Sequence, residues 1–193
     1  VISNPSRTLE SFATWLQNLG SDAMALCDAL EAEAGRPPPS TANPEGESRR
    51  QAALEVLAGG LNSLLKSIDL IEDGSEDIGY IDDCFVLRLC AVTALPGISV
   101  RAGILDRFEA DAELVHEFLG DHDFERLKRY AEGTRQLKAR GRTPREIVED
   151  EDVLSHFVEE VTAWAERYDP PTFSREEKSL LRLHSFLAAR LPS

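Results

Sequence analysis

Lys66-Ser-Ile-Asp-Leu-Ile-Glu-Asp-Gly-Ser-Glu-Asp-Ile-Gly-Tyr-Ile-Asp-Asp-Cys-Phe-Val86 is the stretch that decides the fold. It joins two apolar helical runs. Upstream, Leu54, Leu57, Leu61, Leu64, Leu65, Ile68 and Ile71 recur at helical spacing and form one amphipathic stripe. Downstream, Tyr80–Leu95 has few polar positions, with Arg88 the one base inside it. A helix apolar on nearly every side belongs in the centre of a fold. The stretch therefore reads as the connection of a central hydrophobic helical hairpin. Gly59-Gly60 sits inside the first run, where glycine costs about 1 kcal/mol each. Close packing against another helix is the expected compensation.

The rest of the chain continues the helical period, and strand alternation is almost absent. Asn4 or Ser6 can cap a first helix carrying Leu9, Phe12, Leu16 and Leu19, with Gly20-Ser21 as a break and Ala23–Ala34 as a second helix or a continuation. Gly35 to Gly46 holds four prolines and two glycines and reads as a linker. Ser48 and Gln51 have the spacing of a capping box, as do Thr143 and Glu146, and Ser174 and Glu177. Phe108, Ala112, Val115 and Leu119 mark a helix stopped at Gly120, and Asp121 or Asp123 starts the next. The fold class expected is all-α, an irregular multi-helix bundle of seven to nine helices. The expected organisation is a helical segment over 1–34, a linker over 35–47 and a helical domain over 48–193.

Composition narrows the function. The 193 residues carry 35 acids against 21 bases, a net charge of −14. That opposes general nucleic-acid binding and anionic membranes, both of which need a basic surface. No apolar run approaches the ~18 residues of a membrane span. Three cysteines, Cys27, Cys84 and Cys90, lack disulfide spacing and read as reduced, buried thiols, which with no visible signal peptide favours a cytoplasmic setting. No nucleophile elbow, phosphate loop or dinucleotide fingerprint is present.

The opening stretch resembles the core motif of the YkvA-like family of unknown function. That motif runs roughly S-P-I-D-L-I-P-D, three or four mostly apolar residues, then G-Y-L-D-D and an apolar helix. Ile68, Asp69, Leu70, Ile71, Asp73, Gly79, Tyr80, Asp82 and Asp83 match without a gap. Ser67, Glu72 and Glu76 replace family prolines, and Asp77 replaces an apolar residue. The resemblance covers about a tenth of the chain. It implies two packed helices joined by a tight turn in mostly bacterial proteins, and no activity.

Two surfaces stand out as candidate sites. The first is the motif itself: Asp69, Asp73, Gly79, Tyr80, Asp82 and Asp83. Gly79 suits a chain reversal, and Asp82 or Asp83 would face the N-terminus of the following helix. Capping and solvated surface account for these acids; the sharper alternative is a divalent cation on Asp69, Asp73, Asp82 and Asp83. No metal or other cofactor is expected. The second is basic. Arg126–Arg145 holds eight bases against Glu132 alone. The stripe is expected to pair internally with Glu146–Asp152 or the motif acids. Otherwise Arg135, Lys138, Arg140 and Arg142 form a docking patch for an acidic partner or an RNA. The function expected is a non-enzymatic interaction or regulatory module with a protein partner, in one form an acidic inhibitor or immunity protein. The alternative is a metal-dependent all-helical enzyme acting on phosphate esters.

Overall fold

The computed structural model describes residues 4–37, 44–66, 70–71, 78–98 and 103–192. These form seven α-helices: α1 (Pro5–Ala34), α2 (Pro44–Ser63), α3 (Ile81–Ala94), α4 (Gly103–Gly133), α5 (Pro144–Glu149), α6 (Glu151–Arg167) and α7 (Glu177–Arg190). Two 3-10 turns, Leu95–Gly97 and Thr134–Gln136, complete the order. No strand occurs among the described residues. The protein is an all-α multi-helix bundle.

The centre is α3. Its residues from Ile81 to Ala91 are all buried, Arg88 included. It lies against α2, α4 and α1. The two glycines of α2 make this approach close. A Cβ on Gly60 would sit 2.7 Å from the Cβ of Cys90 in α3, and one on Gly59 would sit 2.7 Å from the backbone of Thr134. The expected compensation for Gly59-Gly60 is thus present, against a helix at one glycine and a 3-10 turn at the other.

Asn4 caps α1, its Oδ1 accepting from the Arg7 amide at 3.1 Å. Of the two readings open at Gly20-Ser21, the continuation holds: α1 runs unbroken to Ala34. Gly20 instead admits α6, since a Cβ there would lie 3.1 Å from the Ala165 carbonyl oxygen. The Tyr168 hydroxyl donates to the Leu16 carbonyl at 2.8 Å and fastens the same crossing. Phe12, Leu16, Leu26 and Leu30 of α1 share one core with Leu57, Leu61, Phe85 and Leu87.

Two of the three expected capping boxes are corrected. Helix α2 starts at Pro44, with Glu45 and Glu47 in its first turn, so Ser48 lies inside the helix. Proline needs no donor partner at a helix start, which lets the helix open there. Helix α7 starts at Glu177 with no side-chain cap. Phe173, buried and 6.3 Å from the Phe12 ring, keeps the preceding chain extended past Ser174. The third box holds: Thr143 and Glu146 cap each other reciprocally at α5. Asp150 then separates α5 from α6 and caps the latter, accepting from the amides of Asp152 and Val153. Within α4, Gly120 takes φ 74° and ψ 166°, so the expected stop appears as a kink between two helical arms.

Candidate functional site

The motif residues fall into two groups. Asp69 and Asp73 lie outside the described residues, as do Glu72, Glu76 and Asp77. Gly79, Tyr80, Asp82 and Asp83 are described and sit where the chain turns into α3. The left-handed residue of that turn is Tyr80, at φ 62°, and not Gly79. A non-glycine residue there is strained by roughly 1–2 kcal/mol. Its ring packs edge-on against Tyr168 at 5.2 Å, and Trp164 stacks on Tyr168 at 5.3 Å. The three rings tie the motif to α6.

Asp82 and Asp83 lie in the first turn of α3, both buried. Asp82 Oδ2 accepts from the Ile71 amide at 3.1 Å. A carboxylate of the motif's second half therefore holds the backbone of its first half. This is a structural role for Asp82, set by the eleven-residue span between the two. Among the described residues no group of three or more His, Cys, Asp or Glu side chains is arranged to hold a metal ion.

The deepest charge among the described residues is elsewhere. Arg88 is fully buried in α3. Its Nε donates to Asp111 Oδ2 at 2.8 Å, its Nη2 to Asp22 Oδ2 at 3.2 Å and its Nη1 to the Cys84 carbonyl at 3.1 Å. Arg107 reaches the other oxygen of Asp22 at 2.6 Å. Trp15 and Phe108 present ring faces to the guanidinium at 4.3 and 4.6 Å. Two arginines and two aspartates balance in charge and link α1, α3 and α4. The sequence signal for this cluster is Arg88 itself, a lone base in an otherwise apolar helix, which requires buried counter-ions.

The basic stripe is largely spent within the chain. Arg126 closes the C-terminus of α7, donating to the carbonyls of Ala188, Leu191 and Pro192, and pairs with Asp123 at 2.8 Å. His122 and Arg126 bonds hold the Asp123 carboxyl below its ordinary range against a burial effect of opposite sign. Glu55, buried in α2, receives both Arg135 at 2.9 Å and Arg145 at 3.2 Å. Glu160 receives Arg142, with Arg140 at 3.9 Å. The internal partners are mainly Glu55 and Glu160; from the expected Glu146–Asp152 run, Glu149 lies 3.9 Å from Arg145 and Glu146 feels the charge of Lys138. Helices α2 and α6 flank the stripe in space, which sequence distance conceals. Lys138 is exposed. The structure brings Arg140 and Arg142 together on Glu160 and places Arg135 apart from them on Glu55.

The thiols are buried and unbridged. Burial pushes Cys27 and Cys90 up to about 12, and Cys84 further above the usual thiol range. None supplies a thiolate nucleophile near neutral pH. Ellman's reagent at pH 8 should modify almost none of the three thiols in the native protein and all three after unfolding; rapid native labelling would contradict their burial. The sign for stability follows. Above the ordinary thiol value the unfolded chain ionises while the folded thiols stay neutral, so stability falls as pH rises from there to about 12.

No described helix is long and apolar enough to cross a membrane. Compared with known proteins, the chain matches no family model, no curated protein and no solved structure.

Proposed function

We propose that the protein is a non-enzymatic interaction module that docks a basic protein partner on an acidic helix face, as an inhibitor or immunity protein would. On the YkvA-like resemblance its setting is a bacterial cytoplasm. One observation carries the reading. Glu109, Glu113 and Glu117 are exposed on one face of the first arm of α4, spaced four apart, with no ion pair among the described residues. Like charges at that spacing destabilise a helix by about 0.2–0.5 kcal/mol per pair. The one Lys or Arg of that arm, Arg107, is engaged on Asp22. A basic partner would relieve the repulsion and would be steered to this face by the net charge. The alternative, a metal-dependent phosphate-ester enzyme, would draw on Asp82, one oxygen of which holds the Ile71 amide.

The test is affinity capture from an extract of the native host. Wild-type protein should retain a basic protein at low salt. E109K/E113K/E117K should lose it, as should wild type at about 0.5 M salt, where screening acts over only a few ångströms. With the purified partner, association should slow by roughly tenfold in the variant. A partner retained equally by the variant, or no basic protein enriched, overturns the reading.

A further inference from the structure

An open groove runs between α2, the Leu95–Gly97 turn and the end of α4. Its apolar part, about 350 Å³, is floored by Ala52, Ala53, Val56, Thr93 and Pro96. Gly97 keeps that floor closed, because its backbone packs against Ala53 and the Arg49 carbonyl with no room for a Cβ. Glu132 and Arg135 form a wall shared with a second, polar part of about 440 Å³, which Glu55, Thr143 and Arg145 complete. Arg49 stands exposed at the apolar end.

The charges set the occupant. Three arginines face two carboxylates, so the groove carries one net positive charge in a chain of net charge −14. Both guanidiniums at the polar end share the carboxylate of Glu55, and Arg145 also has Glu149 at 3.9 Å, outside the groove lining. The Nε of Arg135 is buried with no hydrogen-bond partner among the described residues, and Arg145 is 66% exposed with donors to spare. A buried unpaired donor costs about 1–3 kcal/mol until something accepts from it. One additional carboxylate would match the surplus arginine of the lining and give Arg135 and Arg145 a further acceptor beside Glu55, while the adjoining floor takes an apolar side chain.

We propose that this groove docks an acidic segment of a partner protein, seating an aspartate or glutamate on Arg135 and Arg145 and a neighbouring aliphatic side chain over Val56 and Pro96. It is separate from the acidic α4 face and opposite in chemistry, so it stands or falls independently of the proposed function.

The test uses the whole isotope-labelled chain and a capped peptide, acetyl-Asp-Leu-Asp-Leu-amide, with its lysine counterpart as control. The acidic peptide should shift the amides of Ala53, Val56, Thr93 and Arg135 in a saturable way, and the lysine peptide should not. R49Q/R145Q removes two exposed guanidiniums and leaves Arg135 on Glu55, so the fold is kept; an unchanged dispersion of amide signals checks this. The variant should bind the acidic peptide about tenfold more weakly, the loss of one charge-assisted contact. Equal shifts from both peptides, shifts elsewhere on the surface, or unchanged affinity in the variant overturns the proposal. So does stronger perturbation of these same amides by an octauridylate, which would assign the groove to RNA.

Discussion

Arg88→Ala should lower the unfolding free energy by about 3–5 kcal/mol, the cost of removing one partner from a buried ion pair. The reason is geometric. Arg88 is fully buried, and its three nitrogens meet Asp111, Asp22 and the Cys84 carbonyl. Truncation leaves Asp111 without that guanidinium, while Asp22 keeps Arg107. It also empties the space between the Trp15 and Phe108 rings. For a chain of this length the melting temperature should fall by roughly 10 °C. A second variant separates pairing from the mere presence of charge. R88M/D22L/D111L replaces the group with apolar side chains, and such replacements are often neutral or stabilising. Urea denaturation of both variants checks the pattern. A loss under about 1 kcal/mol for Arg88→Ala would mean the pair is not desolvated as the geometry requires.

Gly59→Ala should destabilise the protein by about 1–2 kcal/mol, and Gly133→Ala should stabilise it by up to about 1 kcal/mol. Both are glycine to alanine in or at the end of a helix. Propensity alone gives both the same favourable sign, about 1 kcal/mol. Space decides otherwise at Gly59. An added Cβ would lie 2.7 Å from the carbonyl carbon and oxygen of Thr134, which are backbone atoms and cannot swing aside. Thr134 is held in turn: its hydroxyl donates to the Ala131 carbonyl at 2.6 Å, and its carbonyl accepts from the Leu137 amide at 2.9 Å. Overpacking of this kind costs about 1–3 kcal/mol and exceeds the propensity gain. Around Gly133 a Cβ meets nothing within 4 Å, and its φ of −63° is ordinary for alanine. Thermal melts of the two variants, run side by side, should shift in opposite directions. A shared direction would show that the α2 approach to Thr134 is looser than 2.7 Å implies.

The parts of the fold legible in the sequence were those with a local cause. The apolar run Tyr80–Leu95 announced a buried central helix, and α3 is that helix. Thr143, Pro144 and Glu146 announced a capped start, and α5 begins there. Gly120 announced a break, and α4 bends at it. Local signals misled where a distant surface overruled them. Gly20 resembled a stop but is a crossing point for α6. Ser174 resembled a cap, but Phe173 is drawn into the core beside Phe12 and delays the helix to Glu177. Gly79 suits the chain reversal of the motif, but it is not the residue at positive φ there. Tyr80 takes that conformation instead, with its ring packed against Tyr168 and Trp164.

The sequence by itself determined an acidic, all-helical chain with its most apolar helix at the centre and a tight turn leading into it. Hydrophobic period, glycine and proline placement and net charge are properties of neighbouring residues, so they can be read in order along the chain. Tertiary structure alone decided how the charges are spent. It set Arg88 between Asp22 and Asp111, which lie 66 and 23 residues away. It used Asp82 of the motif to hold the Ile71 amide. It divided the basic stripe between Glu55 and Glu160 and left an acidic α4 face and a cationic groove exposed. Ion pairing depends on separation in space, and the sequence fixes that separation only within a turn or two of helix.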